Sequence, residues 1–371
     1  MPGGIRCSGR TYRGAVRNTR RDRQTADIAP LSTLGLDSTA FRTETLRRLR
    51  ALVSIDAAFF ATVDPATVLF TSALAEDPLG AATPLFLDNE FGHDDVNKFA
   101  SLASSHDQAG SLDQATRGDR ASSPRYRDVL GPLGLGDELR IALVAGGECW
   151  GVLCLHREDS SVGFSEDEVD IVRRLGPRLG EGLRRSLTFS SAFGPAGPTG
   201  PTGPGILILE PDLTVLSINA QADYWLGEIT SEDWPDRSVL PVSVLAAAAQ
   251  LAGVGRPTMH GAAATRVRTV GGTWITVQAS PLKGPAGHQI AVILELANAL
   301  ELSSLVLAAH GLTPAQQRVA GRVLQGQSTR RIMDELHISS HTLQEHLRAV
   351  FEKFGIGSRR ELVATLSGHR G

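Results

Sequence analysis

Between positions 193 and 205 the chain reads Phe-Gly-Pro-Ala-Gly-Pro-Thr-Gly-Pro-Thr-Gly-Pro-Gly, with each glycine at 194, 197, 200 and 203 followed by proline. Proline lacks the amide donor that a helix or strand interior needs, and glycine adds backbone entropy, so no regular element should cross this run. Four triplets cannot hold a triple helix, and a short polyproline-like spacer is the expected form. The chain must therefore fold as separate units on either side of it. Its 371 residues allow two or three domains at roughly 100–200 residues each.

Hydrophobic residues make up 42% and charged residues 21%, enough apolar material for sizeable cores and against wholesale disorder. The three cysteines, Cys7, Cys149 and Cys154, form no CxxC pair and imply no disulfide framework. A reducing, cytoplasmic setting fits. No apolar run reaches the roughly 18 residues of a membrane span, and the Arg-rich start has no apolar core of a secretory signal.

Charge is unevenly spread. Residues 1–30 carry seven Arg against two Asp, residues 31–309 carry 21 basic and 33 acidic groups, and residues 310–371 carry nine basic and five acidic groups. A basic tail on an acidic body points the tail at a polyanion.

The pattern divides the chain into a basic, disordered extension (1–38), a first folded block (39–190), the linker (191–205), a second block (206–300) and a helical C-terminal unit (301–371). In the first block Thr43–Val53 has helical periodicity, Asp56–Phe70 reads as two strands around Asp64-Pro65, and helical signals return near Asp94–Ala103. Glu138–Val144 and Cys149–His156 read as a strand pair turning at Gly146-Gly147. Ser165-Glu166-Asp167-Glu168 opens a helix with a capping box, and Val169, Val172, Leu175, Leu179, Leu183 and Leu187 form its stripe, a candidate dimer coil. The second block pairs Ile206–Glu210 with Val215–Asn219. Helices follow at Ala220–Leu226 and Val242–Leu251, then strands at Thr265–Val270, Thr273–Ser280 and Gln289–Leu296. That order is an α+β pattern.

In the C-terminal unit, Thr313-Pro314-Ala315-Gln316 combines a cap, a proline at the first helical position and a capping-box partner. Ser328 opens a second short helix, and Ser339 or Ser340 a third. In the third, Leu343, Leu347, Val350, Phe351 and Phe354 share one face, which turns His341, Gln344, Glu345, Arg348 and Glu352 outward. Gln can pair with adenine, Arg with guanine, and Glu can accept from cytosine. Two helices joined by a short turn, the second with such a face, is the helix-turn-helix plan.

The run L-T-P-A-Q-Q-R-V-A, G-Q-S-T-R-R-I, L-H-I-S-S-H-T-L-Q-E-H-L and K-F-G-I-G-S-R-R-E-L-V resembles the LuxR/GerE-type helix-turn-helix over roughly residues 311–366. The resemblance implies four helices, the third entering the major groove of double-stranded DNA and the fourth helping to pair two domains. It places Gln344, Glu345 and Arg348 at base edges. Near phosphates it places Ser340, Thr342, His346 and Lys353, with Arg330, Arg331 and Arg359. Gln316, Met333 and His341 depart from the usual Glu, Ala and Lys, and Glu345 sets an acid on the reading face.

Over about 40–190 the chain resembles a GAF domain, through C-W-G-V-L-C-L-H and F-S-E-D-E-V-D-I-V. Over about 204–300 it resembles a PAS domain, through G-I-L-I-L-E-P-D-L-T-V-L-S-I-N-A-Q-A and G-G-T-W-I-T-V-Q-A-S. Both imply sensors of small molecules that also dimerise. The sequence names no cofactor. His93, His106 and His156 are isolated from one another, and Cys149 and Cys154, five apart in a strand, should face opposite ways, so no metal site is expected. Trp150, Trp225 and Trp274 read as core. The chain lacks a Walker A loop, HExxH and GxSxG, so no catalytic set is expected. The expected whole is a multidomain, dimeric regulator in which the sensor region controls DNA binding. The alternative is a sensor acting through protein contacts, with the terminal helices as a docking module.

Overall fold

The structure is a computed structural model that describes residues 28–160, 162–189, 200–230, 240–252, 263–284 and 287–367. Residues 1–27 of the expected arm, and the Gly/Pro run up to residue 199, lie outside them.

The extension expected over 1–38 ends sooner than composition suggests. Ile28 and Leu31 are both 1% exposed, at a 3-10 turn spanning Ala29–Thr33, and they join the core of the first block. Two apolar side chains pin this segment, and averaging over a polar stretch hides them.

Helix α1 (Ser38–Leu49) starts at Asp37, whose carboxylate accepts the amides of Thr39 and Ala40 at 2.9 Å each. A five-stranded sheet follows: β1 (Ala57–Val63), β2 (Phe70–Ala75), β3 (Ala109–Ser111), β4 (Leu135–Ala145) and β5 (Glu148–Glu158), in the order β2-β1-β5-β4-β3. All its neighbours are antiparallel. The strand pair expected within Asp56–Phe70 is corrected: β2 only begins at Phe70. The intervening residues form a loop in which the Asp64 carboxylate accepts the Ala66 amide at 3.0 Å and Val68 takes a φ of 58°. The β4–β5 turn falls on Gly146-Gly147, with φ of 64° and 87°, the geometry of a two-residue hairpin.

Helices α2 (Thr83–Gly92), α3 (Phe99–Ser104) and the short α4 (Leu112–Thr116) precede β4. Helix α5 (Glu166–Phe189) runs through Pro177 without ending. Its capping box is formed: the Ser165 amide donates to Glu168 Oε2 at 3.0 Å and the Glu168 amide to Ser165 Oγ at 3.4 Å. Val169, Val172, Leu175, Leu179 and Leu183 are buried on one side of the sheet, so this stripe is used inside the chain's own core.

The two cysteines need a correction. Both belong to the same apolar cluster, whereas Trp150 and Leu153 lie in the cluster on the other side. The β4–β5 register shifts where Leu143 opposes Gly151 and Val144 opposes Cys149. One extra residue in β5 reverses the alternation, bringing Cys149 onto the face of Cys154. A Cβ at Gly151 would stand 2.3 Å from Leu183 and 2.8 Å from the Ala61 carbonyl.

The second sheet holds β6 (Gly205–Leu209), β7 (Val215–Ile218), β8 (Ala264–Arg268), β9 (Trp274–Gly284) and β10 (Gly287–Leu296). Its order, β7-β6-β10-β9-β8, repeats that of the first sheet. Helix α6 (Ala220–Ile229) is capped by Asn219, whose Oδ1 accepts the amides of Ala222 and Ile206 at 2.9 Å each. In helix α7 (Val242–Ala252), Ala246 to Ala249 are all buried. Small side chains let α7 lie close to β9 and to α2 of the first block at once. One apolar cluster thus runs from Phe59 and Phe86 through these alanines to Ile275 and Val292.

Helix α8 (Ala299–Ala309) joins the sensor-side core to the C-terminal unit. Leu305, Ala308 and Ala309 belong to the first block's core, and Val306 and Leu307 to the C-terminal core. That unit holds α9 (Pro314–Leu324), α10 (Thr329–Leu336), α11 (Ser340–Phe354) and α12 (Arg359–Ser367). The molecule is multidomain, with an α+β front region and four C-terminal helices α9 to α12.

Candidate nucleic-acid interface

Each C-terminal helix begins on a side-chain cap. The Thr313 amide donates to Gln316 Oε1 at 3.0 Å, and the Gln316 amide returns to Thr313 Oγ1 at 3.4 Å. Ser328 caps α10, and Ser339, not Ser340, caps α11 by accepting the Thr342 amide at 3.1 Å. Between α10 and α11 the chain turns at His337, φ 52°, and the Ile338 amide closes back on the Met333 carbonyl. Gly355, φ 66°, ends α11.

Leu343, Leu347 and Val350 of α11 are at most 3% exposed. They pack with Val319, Ala320, Val323, Ile332, Leu362 and Leu366. Each such burial contributes roughly 1.5–3 kcal/mol, which fixes the roll of α11 about its axis. Gln344, Glu345 and Arg348 are consequently exposed on its other side, with His341 and Glu352. Gln344 and Arg348 have no polar partner among the described residues, whereas Glu345 lies 3.4 Å from the exposed His341.

The residues expected near phosphates are less uniform. Ser340 and Arg330 are exposed, and Thr342 and His346 half-buried. Thr342 Oγ1 is 2.9 Å from Ser339 Oγ. Arg331 donates to Glu335 at 2.8 Å, and half-buried Arg359 sits at the start of α12. Lys353 is tied down: its ammonium donates to the Gly311 carbonyl at 2.7 Å and to Gln316 Oε1 at 2.9 Å.

Residues 310–366 match the model of bacterial regulatory proteins, luxR family, and residues 43–183 match that of the GAF domain. The chain carries the DNA-binding domain of luxR-family regulators at its C-terminus and a GAF domain at its N-terminus. Among solved structures, the regulator is similar to the VqsR LBD domain from Pseudomonas aeruginosa, at 17% identity and a TM-score of 0.31 over 44% of this chain and 96% of that one. It is similar to the Vibrio cholera VqmA–ligand–DNA complex at 18% and 0.23, over 50% and 87%. It is similar to the Escherichia coli DhaR(N)–DhaL complex at 12% and 0.23, over 76% and 89%. Scores this low add nothing to the two family matches. No curated protein matches the chain. Among the described residues no helix is long and apolar enough to cross a membrane.

Two features of the regulator's front end escape the sequence reading. The first is a cavity of about 490 Å³ between its two sheets, lined by Phe59, Pro84, Leu213, Leu240 and Leu245. The second is a buried charge network under α2 and α3. Arg125 Nε donates to Glu138 at 2.7 Å, Arg140 donates to Glu90 at 2.7 Å, and the Arg125 amide donates to Asp95 at 2.7 Å. The Arg140 guanidinium also lies 3.9 Å above the Phe99 ring. Burial opposes the charge on Glu138, yet Arg125 and Arg140 outweigh it and hold its carboxyl at about 2. Burial likewise opposes the charge on Arg140, but Glu90 and Glu138 raise its pKa. The one available signal, the alternation Glu138-Leu139-Arg140-Ile141, reads as a half-solvated strand.

Of the isolated histidines, His93 is exposed beside Asp88 at 3.1 Å and His106 is exposed, while His156 is fully buried. Trp150 and Trp225 are buried core, and Trp274 is half-buried.

Proposed function

We propose that the protein is a cytoplasmic, dimeric transcription regulator that reads a two-fold DNA site with Gln344, Glu345 and Arg348, its front region sensing a small molecule. The observation that carries this is α11 itself. Its apolar face is locked into a core, and three base-matching side chains project together into solvent. Ser340, Thr342, His346, Arg330, Arg331 and Arg359 then steady the helix on the backbone. We read Lys353 as acting mainly within the domain, given its two internal acceptors.

The sensing half is supported by the cavity between the sheets, whose size and apolar lining suit a small ligand. The repeated strand order supports a PAS-like second block. The luxR family is a class of regulatory proteins, which supports a non-catalytic reading.

The test is binding of the full chain to a palindromic duplex across a salt series, with sedimentation to set the stoichiometry. Two chains per site, with affinity falling steeply as salt rises, is the expected result. Binding by a single chain, indifferent to salt and sequence, would leave the terminal helices as a protein-docking module.

A further inference from the structure

In the β4–β5 ladder, Glu138 stands across from His156, and Arg140 across from Cys154. All four side chains are completely buried. Glu138, Cys154 and His156 each offer one ligand atom, and these three atoms lie within 4.8 Å of one another. Glu138 Oε1 is 3.9 Å from His156 Nε2 and 3.6 Å from Arg140 Nε, too far for a hydrogen bond. Glu138 Oε1, Arg140 Nε and both His156 ring nitrogens have no hydrogen-bond partner among the described residues. A buried polar atom left unpaired is costly, and here Glu138 Oε1, Arg140 Nε and one ring nitrogen of His156 converge on one spot.

We propose that Glu138, Cys154 and His156 bind a divalent transition-metal ion, best matched by zinc, with a fourth position left open. A thiolate, an imidazole and a carboxylate form a borderline-soft donor set, and three protein ligands with one vacancy is a known zinc arrangement. Asp95, Glu90 and Glu138 are three buried carboxylates against two buried guanidiniums, Arg125 and Arg140. Lys98 lies at the network's more open edge, its ammonium on the carbonyls of Asn89 and His93. A dication bound with one thiolate adds a single positive charge to the site. Binding displaces the Cys154 thiol proton to solvent. The ligand atoms need to close in by about 1 Å or less to reach zinc bond lengths of roughly 2.0–2.3 Å.

A trapped water is the rival occupant. It satisfies the orphaned nitrogens and oxygen but has no use for sulfur, so the test reads sulfur. Full-length protein carrying Cys7→Ser keeps only Cys149 and Cys154. After loading with Zn(II) and dialysis, elemental analysis should find about one zinc per chain, falling at least about tenfold in Cys154→Ser and in His156→Gln and persisting in Cys149→Ser. Co(II) in place of zinc should give a thiolate charge-transfer band that Cys149→Ser retains. Should Cys154→Ser fail to fold, that band alone decides. A folded parent that holds no metal, a parent with no thiolate band, or a band lost with Cys149 overturns the proposal.

Discussion

The Asp64 carboxylate, in the β1–β2 loop of the first block, accepts the Arg266 guanidinium of the second block at 2.7 Å, across 202 residues of sequence. Asp64 Oδ2 also takes the Arg266 amide at 2.9 Å. The same guanidinium donates to the Glu301 carbonyl at 2.6 Å and to Ser304 Oγ at 2.9 Å, both on α8. One side chain thus touches both sheets' domains and the helix that leads to the reading unit.

Asp64→Asn leaves Arg266 buried without its counter-charge. The expected cost is about 3 kcal/mol, read as a lower denaturant midpoint. Replacing both residues with leucine should recover much of the loss, because no uncompensated charge remains. Should the single variant melt like wild type, the pair does not hold the blocks together.

Arg348→Ala should weaken binding to the specific DNA site by roughly 1–3 kcal/mol while leaving random-sequence binding nearly intact. Equal losses on both duplexes, measured by fluorescence anisotropy at one salt concentration, would assign Arg348 to phosphate alone. Gln344→Ala should behave in the same way at a different base position.

Lys353→Met removes donors to Gly311 and Gln316 that tie the end of α11 to the start of α9. We expect the C-terminal unit to melt earlier, by about 1 kcal/mol, with the slope of log affinity on log salt little changed. A drop of about one in that slope, without loss of stability, would instead make Lys353 a backbone contact.

Glu168 gives a pH prediction. Burial opposes its charge, but the Ser165 amide and Arg157 outweigh it and lower its pKa below the unfolded value. The stability it contributes is therefore full above the unfolded value of 4.5 and is lost as pH falls through the lower folded value. Glu168→Gln keeps a capping-box partner but loses the charged acceptor of Arg157, an expected cost of about 0.5–1 kcal/mol near neutrality, and the gap to wild type should close in melts run toward pH 3. A gap that stays constant over this range excludes the carboxylate as its source.

Much of the C-terminal unit was legible because its signals are local. Thr313 with Gln316, Ser328, Ser339 and the apolar spacing of Leu343, Leu347 and Val350 each name a helix start or face within a few residues. What escaped depends on partners far away in the chain. The Glu138–Arg140 alternation looks solvated until α2 and α3 are known to cover it. Helix α2 itself begins with Thr83-Pro84 and runs through Leu85-Phe86-Leu87 into Asp88-Asn89-Glu90, blocks of apolar and polar residues that show no strong stripe. The cysteine faces do not follow from their spacing of five, because one register shift beside Gly151 inverts the alternation. Gly151→Ala should cost about 1–3 kcal/mol by forcing Leu183 away, and a neutral outcome in thermal melts would show that α5 has room to give.

Helix α8 carries Leu305, Ala308 and Ala309 into one core and Val306 and Leu307 into another. At 3.6 residues per turn, adjacent side chains such as Leu305 and Val306 sit on flanks that no small roll can serve separately. Twisting the rod to suit one neighbour pulls greasy anchors out of the other. The reading head is thus geared to the sensor instead of hanging from a tether. A message from the front end must arrive as a rigid screw or slide of α8, or as its wholesale release.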